Sequence, residues 1–306
     1  MLPEIFQAFI GGLAVGGVYA LMALGFSITF TTTRTLNFSQ GEFVSTGAFI
    51  YVSALLLLSR QSSNIGAVQL SAELGPELVG LFAALAIMGA LGVVLFYVGV
   101  RPFTGKPGLA WVVSTLGFGV ILQSVGLALW GPGSVVVPSP VGDGLLEIFG
   151  AGIRRQELVV ICTAVLVMVA MDVLMRRTML GKVMRAVAHS GQLASLMGIN
   201  VNVVMAAAFG ISSALAALSG LLIAPIATAS LFLGLAFGLK GFSAAIVGGL
   251  NNPRGCVIGG FALGVLESMV NLWQAQWRDI FVFMVVIVVL AFKPNGLFGL
   301  TTVEKA

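Results

Sequence analysis

The chain has 306 residues, 58% of them hydrophobic and only 8% charged, with a net charge of +4 and a mean hydropathy of +1.09. A soluble domain carries about a quarter charged residues, so this composition excludes a water-soluble globular enzyme and requires a bilayer as solvent. The small positive charge calls for no nucleic-acid partner, because basic cytoplasmic loops of a membrane protein account for it.

A helix needs about 20 mostly apolar residues to cross the hydrocarbon core. The first such run covers 6–30, and "MLPEIFQAF" at its start lacks the basic residues of a cleaved leader, so it reads as a retained span. A polar interruption, "LNFSQGEF" at 36–43, leads into a run at 43–58. Ser39 and Glu42 have the spacing of a capping box, which predicts a helix start after a break in the membrane-embedded chain. A compatible reading turns Asn37, Gln40 and Glu42 toward a wet cavity, since irregular polar backbone at depth is tolerated only there.

Runs at 79–100 and 109–130 are joined by "GVRPFTGKPG", residues 99–108. Its glycine–lysine spacing misses that of a phosphate loop by one residue, and Pro107 stands where a hydroxyl residue is required, so it reads as a basic turn. A run at 158–175 contains Asp172, one helical turn before Arg176. Then comes "MRAVAHSGQLASLMGIN", 184–200, too polar for lipid and holding the only histidine, His189. Ala186, Ala188, Leu193, Leu196 and Met197 recur at helical spacing, and Gly198 is a natural stop. This predicts a short amphipathic helix across the end of the bundle, either resting on the membrane or inserting into a groove of a soluble partner.

After a run at 203–226, the glycine-rich stretch 234–250 carries Lys240 and is broken by Asn251-Asn252-Pro253. It reads either as a short, closely packed helix or as a discontinuous substrate-contact segment. Runs at 256–273, containing Glu267, and 280–292 complete the chain. Lys240 is expected to snorkel or pair, and Glu267 to be buried neutral or bonded to a neighbouring helix. The expected fold is an all-α polytopic membrane protein with about eight transmembrane helices plus one short or re-entrant glycine-rich helix, a single domain over 1–306. Continuous apolar runs argue against strands.

With the N-terminus outside and every run crossing, Arg34, Arg101, Lys106, Arg176, Arg177, Lys182, Arg185, Arg254, Lys293 and Lys305 share one side. Only Arg60, Arg154, Arg155 and Arg278 lie on the other, so segment 184–200 and the C-terminus are expected in the cytoplasm. Cys162 and Cys256 read as buried thiols without metal or redox spacing. The sequence has no metalloprotease, nucleophile-elbow or paired-carboxylate pattern, so the chain is expected to be no enzyme and to bind no metal or cofactor.

The candidate translocation path comprises Asn37, Gln40, Glu42, Ser45, Lys240, Phe242 and Ser243. With Ser27, Thr29 and Thr46 nearby, such a wall has too few fixed donors to grip a sugar and no charge ring for a metal ion. It suits a zwitterion with an apolar side chain, passed along weakly. An ion-coupled secondary transporter using Glu42, Lys240 and Glu267, or a passive channel, are the readings of a different class.

"RAVAHSGQLASLMGIN" resembles the cytoplasmic coupling segment of the branched-chain amino acid permeases of ABC transporters. The stretches "GGVYALMALGFSITF…LNFSQGEFVSTGAF" (16–49), "GLKGFSAAIVGGLNNPRGCVIGG" (238–260), "LGVLES" (263–268) and "LAFKPNGLFG" (290–299) are similar to the same family, most of all to its LivH-type subunits. The resemblance implies a coupling segment over 176–202 that meets an ATPase through Arg185, Ala186, Ala194, Leu196, Met197, Gly198 and Ile199. It also implies a homologous second permease in a heterodimer, two cytoplasmic ATPase subunits that use ATP and Mg, and an extracytoplasmic binding protein, in a bacterial or archaeal cytoplasmic (inner) membrane. Small amides and aromatic acids are alternative substrates within the class. Ser190 stands where relatives often carry an acidic residue, which shifts the expected contact toward shape rather than charge.

Overall fold

The computed structural model describes residues 2–58, 74–104, 108–137, 139–142, 144–148 and 150–299. Arg60, Lys106, Pro107 and Lys305 lie outside the described residues.

Helix α1 spans Leu2–Thr33 and ends where Arg34 takes a left-handed φ of 57°. Helix α2 spans Gln40–Leu58, and α3, Leu74–Leu95, runs on through a π-helical turn at Phe96–Val100. A tight turn, Arg101–Phe103, ends it where Pro102 has no N–H to offer. Helices α4 (Ala110–Trp130), α5 (Arg155–Arg177), α6 (Met179–His189), α7 (Gly191–Leu196) and α8 (Val201–Ala227) follow. The chain then forms α9 (Leu233–Gly248), α10 (Pro253–Trp273) and α11 (Arg278–Phe292). Among the described residues, eight helices are long and apolar enough to cross a membrane, and each covers one of the eight expected runs. This is a multi-pass membrane protein.

Strands are present, against expectation. Leu145–Ile148 (β1) and Ala151–Arg154 (β2) pair antiparallel between α4 and α5, with Leu146 opposite Ile153. Four residues per strand are too few to stand out from a loop pattern, and β2 finds its partner surface on α1.

Two ends of the bundle can be distinguished by their contacts. At the basic end Arg34 donates to Asn251 at 3.3 Å, and Arg254 donates twice to Asp172, at 2.9 and 2.8 Å. At the opposite, hairpin end, Val135 and Ala229 form a backbone bridge, 2.8 Å in both directions. The glycine-rich helix α9 joins the two. Leu231, just before it, accepts from Gln123 in the second half of α4 at 3.3 Å, and Leu250, just after it, accepts from Ser27 at 2.8 Å. The run therefore passes through the bundle rather than folding back. Its 16 helical residues reach only about 24 Å, so part of the passage is made by Thr228–Phe232. Thr228 makes that turn at φ 62°, unusual for a β-branched residue, directly after Pro225 has weakened the end of α8.

Helix α1 is the most enclosed of the eight spans and α11 the least. The most extensive seam in the fold joins α1 to α10. A methyl group on Gly12 would come within 2.8 Å of Val265 Cα, and one on Gly264 would overlap the Gly16 backbone. Dispersion between touching backbones holds helices together where lipid is as apolar as leucine. Phe82, Val113, Val120, Ile121, Leu166 and Ile287 face outward on α3, α4, α5 and α11. Cys162, expected to be buried, is exposed on α5; an apolar run gives no sign of which face meets lipid.

Candidate functional site

Between Arg34 and Gln40 the backbone is non-helical, yet Thr35, Leu36, Asn37 and Ser39 are buried. A buried irregular segment must satisfy its own polar groups. Asn37 Oδ1 accepts from the Ser39 amide at 3.1 Å and from its hydroxyl at 2.6 Å, while Asn37 Nδ2 donates to Gln40 Oε1 at 3.4 Å. Gln40 in turn donates to the Ser212 carbonyl at 3.2 Å and accepts from the Ser212 hydroxyl at 2.9 Å. The reciprocal Ser39–Glu42 capping box does not form, because Asn37 takes the Ser39 amide that Glu42 would need. Asn37 and Gln40, expected to line a cavity, are fully buried and pin the start of α2 to the middle of α8.

Beyond this clasp, α2 and α9 cross through their first turns. A methyl group on Gly41 would overlap the Gly234 carbonyl, and one on Gly238 would stand 3.1 Å from Gly41 Cα. Only glycine permits this approach. On α2, Glu42 Oε2, Ser45 Oγ and Thr46 Oγ1 have no hydrogen-bond partner within the protein. They recur at i, i+3 and i+4, so they form one polar stripe on one helix face. Buried polar atoms ordinarily have partners, which makes a stripe of three conspicuous. Glu42 lies against Gly119 of α4 and Ser45 against Gly234.

The α9 candidates separate. Phe242 packs on Phe38 and Phe26, with ring centroids 5.7 and 5.5 Å apart, and so borders the irregular segment. Ser243 is buried. Lys240 lies about 200° around the helix from Gly238, on the face away from α2. It contacts Glu267 at 2.6 Å and Asp279 at 2.8 Å, and Glu267 also accepts from Tyr19 at 2.7 Å. Arg278 stands 3.9 Å from Glu267. Lys240 thus joins α9 to α1, α10 and α11. Thr46 completes the α2 stripe and was legible one turn after Glu42; Tyr19 and Asp279 carried no signal, since both depend on which helices are neighbours.

The expected amphipathic segment is two helices. Ser190 breaks them with φ −158°, and its hydroxyl accepts from the Leu193 amide at 3.3 Å, capping α7. At the far end Gly198 takes φ 81°, with Ile199 N–H on Ala194 O at 3.1 Å and Gly198 N–H on Ser195 O at 3.0 Å. This pair of bonds closes the helix as the glycine stop predicts. Ala194 is buried beneath α7, and Arg185 on α6 donates to the Met175 carbonyl. Leu193, Leu196 and Met197 project outward, the last two each 82% exposed. Ala186 is exposed and Ile199 half-buried. An apolar knob therefore stands at the basic end, beside Arg176, Arg177 and Lys182.

The described residues thus form a multi-pass helical bundle with a broken, glycine-crossed interior and an apolar knob projecting at its basic end. The chain belongs to the family described as "Branched-chain amino acid transport system / permease component", which matches residues 8–290. It is 29% identical to the high-affinity branched-chain amino acid transport system permease protein LivH of Escherichia coli (strain K12), over 98% of this chain and 97% of that protein. Its identity to LivH of Salmonella typhimurium is 30%, with the same coverage. BraD of Pseudomonas aeruginosa is 29% identical over 99% of this chain and all of its own length. No solved structure matches the chain.

Proposed function

We propose that this permease is the membrane-spanning subunit of an ATP-driven importer for branched-chain or other hydrophobic amino acids, delivered by an extracytoplasmic binding protein. The polar stripe Glu42–Ser45–Thr46 carries the reading: three oxygens without hydrogen-bond partners on one face of α2 offer a zwitterion passing contacts without a tight site. The branched-chain amino acid transport carried out by LivH and BraD supports the substrate class. In this reading α7 is the coupling helix. Leu196 and Met197 enter a groove of a cytoplasmic ATPase, one of two that use ATP and Mg, and a homologous permease forms the other half of the path. The basic end faces the cytoplasm, with the N-terminus outside and the C-terminus inside a bacterial or archaeal inner membrane.

Reconstitution with both ATPase subunits, the second permease and the binding protein tests this. Leucine uptake should continue with a proton or sodium uncoupler and stop without ATP. Leu196→Asp should abolish uptake or shed the ATPase, because a desolvated charge without a partner costs several kcal/mol. Normal transport by that variant would overturn the coupling assignment, and uptake by this chain alone would overturn the ATP-driven mechanism. Preference for a small amide or an aromatic acid would move the substrate within the class.

A further inference from the structure

A cavity of about 460 Å³ opens at the basic end between α1, α5, α6 and α10. Its floor is apolar and methionine-rich: Leu24, Ile28, Met168, Met171 and Met184 line it and are all buried. Its rim is cationic. Arg34, Arg176, Arg185 and Arg254 are exposed there, and among the described residues Asp172 is the only carboxylate in the lining. That carboxylate is shared by two guanidinium groups, Arg254 and Arg176, the latter at 3.1 Å. Arg34 and Arg185 have neutral partners instead, the Asn251 side chain and the Met175 carbonyl, and Arg34 also stands 5.8 Å from the Phe30 ring centre. A surplus of positive charge therefore borders an apolar interior at one end of a membrane bundle.

The ligand this matches has an anionic head and a flexible apolar body. An inorganic anion would leave the methionine floor unused, and a zwitterionic amino acid would bring its ammonium group against the arginines. Methionine side chains adapt to irregular shapes, as an acyl chain requires. Basic pockets between helices at this level suit phosphate headgroups. We propose that the cavity binds one anionic phospholipid, its phosphate on the arginine rim and an acyl segment on Met168, Met171 and Met184. Met184, Arg185, Ala188 and His189 of α6 form one wall, so the bound lipid would brace α6, and the adjoining α7, against α1 and α10.

Native mass spectrometry of the full chain in mild detergent, titrated with phosphatidylglycerol or phosphatidylcholine, tests the proposal. One phosphatidylglycerol should be retained in preference to phosphatidylcholine. Arg34→Gln with Arg176→Gln, both exposed, should weaken that binding about 25-fold, since each arginine near a membrane surface contributes roughly fivefold. Met171→Trp should exclude the lipid by filling the floor, with an unchanged lipid-free melting midpoint verifying the fold of both variants. Equal retention of the two lipids, or unaltered binding by the folded arginine variant, would overturn the site. Displacement by sn-glycerol 3-phosphate at comparable concentration would assign the rim to a soluble anion and overturn the lipid assignment.

Discussion

Lys240 shows how a single residue changes meaning once its neighbours are known. An intramembrane lysine marks a substrate or ion path in the absence of a partner. Here it is buried against Glu267 and Asp279, with Tyr19 closing the far oxygen of Glu267. Removing one member of a buried pair leaves a charge without compensation, at about 3–5 kcal/mol, whereas removing both costs far less. Lys240→Met should therefore lower the thermal midpoint of the purified protein by several degrees, and Lys240→Met with Glu267→Gln should recover more than half of that loss. A double variant that melts as low as the sum of the single ones would mean the two residues do not act together. The pairing of Glu267 with a neighbouring helix was legible in its depth within "ALGVLESMV"; the identity of the neighbour was not.

At the scale of elements, length and hydropathy were enough to locate the eight long apolar helices, because a bilayer imposes a span length directly on the chain, but not to decide the passage of the shorter α9. They did not locate faces. In a soluble helix the apolar stripe shows which side packs inward, but these helices are apolar all round, so Cys162 read as buried although it faces outward. Polar segments were more informative. The stop at Gly198 was readable from one residue, while the break at Ser190 was masked by the continuous helical spacing on both sides of it. Ser190 was read as a missing charge at a partner surface; its structural task is to cap α7. Ser190→Ala should cost about 1 kcal/mol locally, and aspartate, an equally good cap, should not. Hydrogen exchange of the Ala194–Met197 amides should accordingly accelerate about fivefold in Ser190→Ala and stay near native in Ser190→Asp; equal rates in all three would reject the capping role.

At the scale of the whole molecule, the seam between α1 and α10 has a consequence for biogenesis. Helix α1 is the most enclosed of the eight spans, and α10, its most extensive partner, is synthesised long after it. Tyr19 and Glu267, which bond across that seam, are 248 residues apart. At about 5–20 residues per second, α1 waits roughly 12–50 s in the membrane with its glycine face uncovered. During that interval its hydroxyl-rich second half, Ser27 to Thr33, has neither Leu250 nor α10 beside it. Nascent chains are thus obliged to shelter α1 against another surface, such as the insertion machinery. A chain halted after Gly248 should be cleared by membrane proteases several times faster than one that includes residues 249–306, as pulse-chase labelling would measure. Co-expression of residues 249–306 as a separate fragment should restore its lifetime, since the missing half of the seam is then supplied in trans. A halted chain as long-lived as one that includes residues 249–306 would show that α1 can be housed without α10.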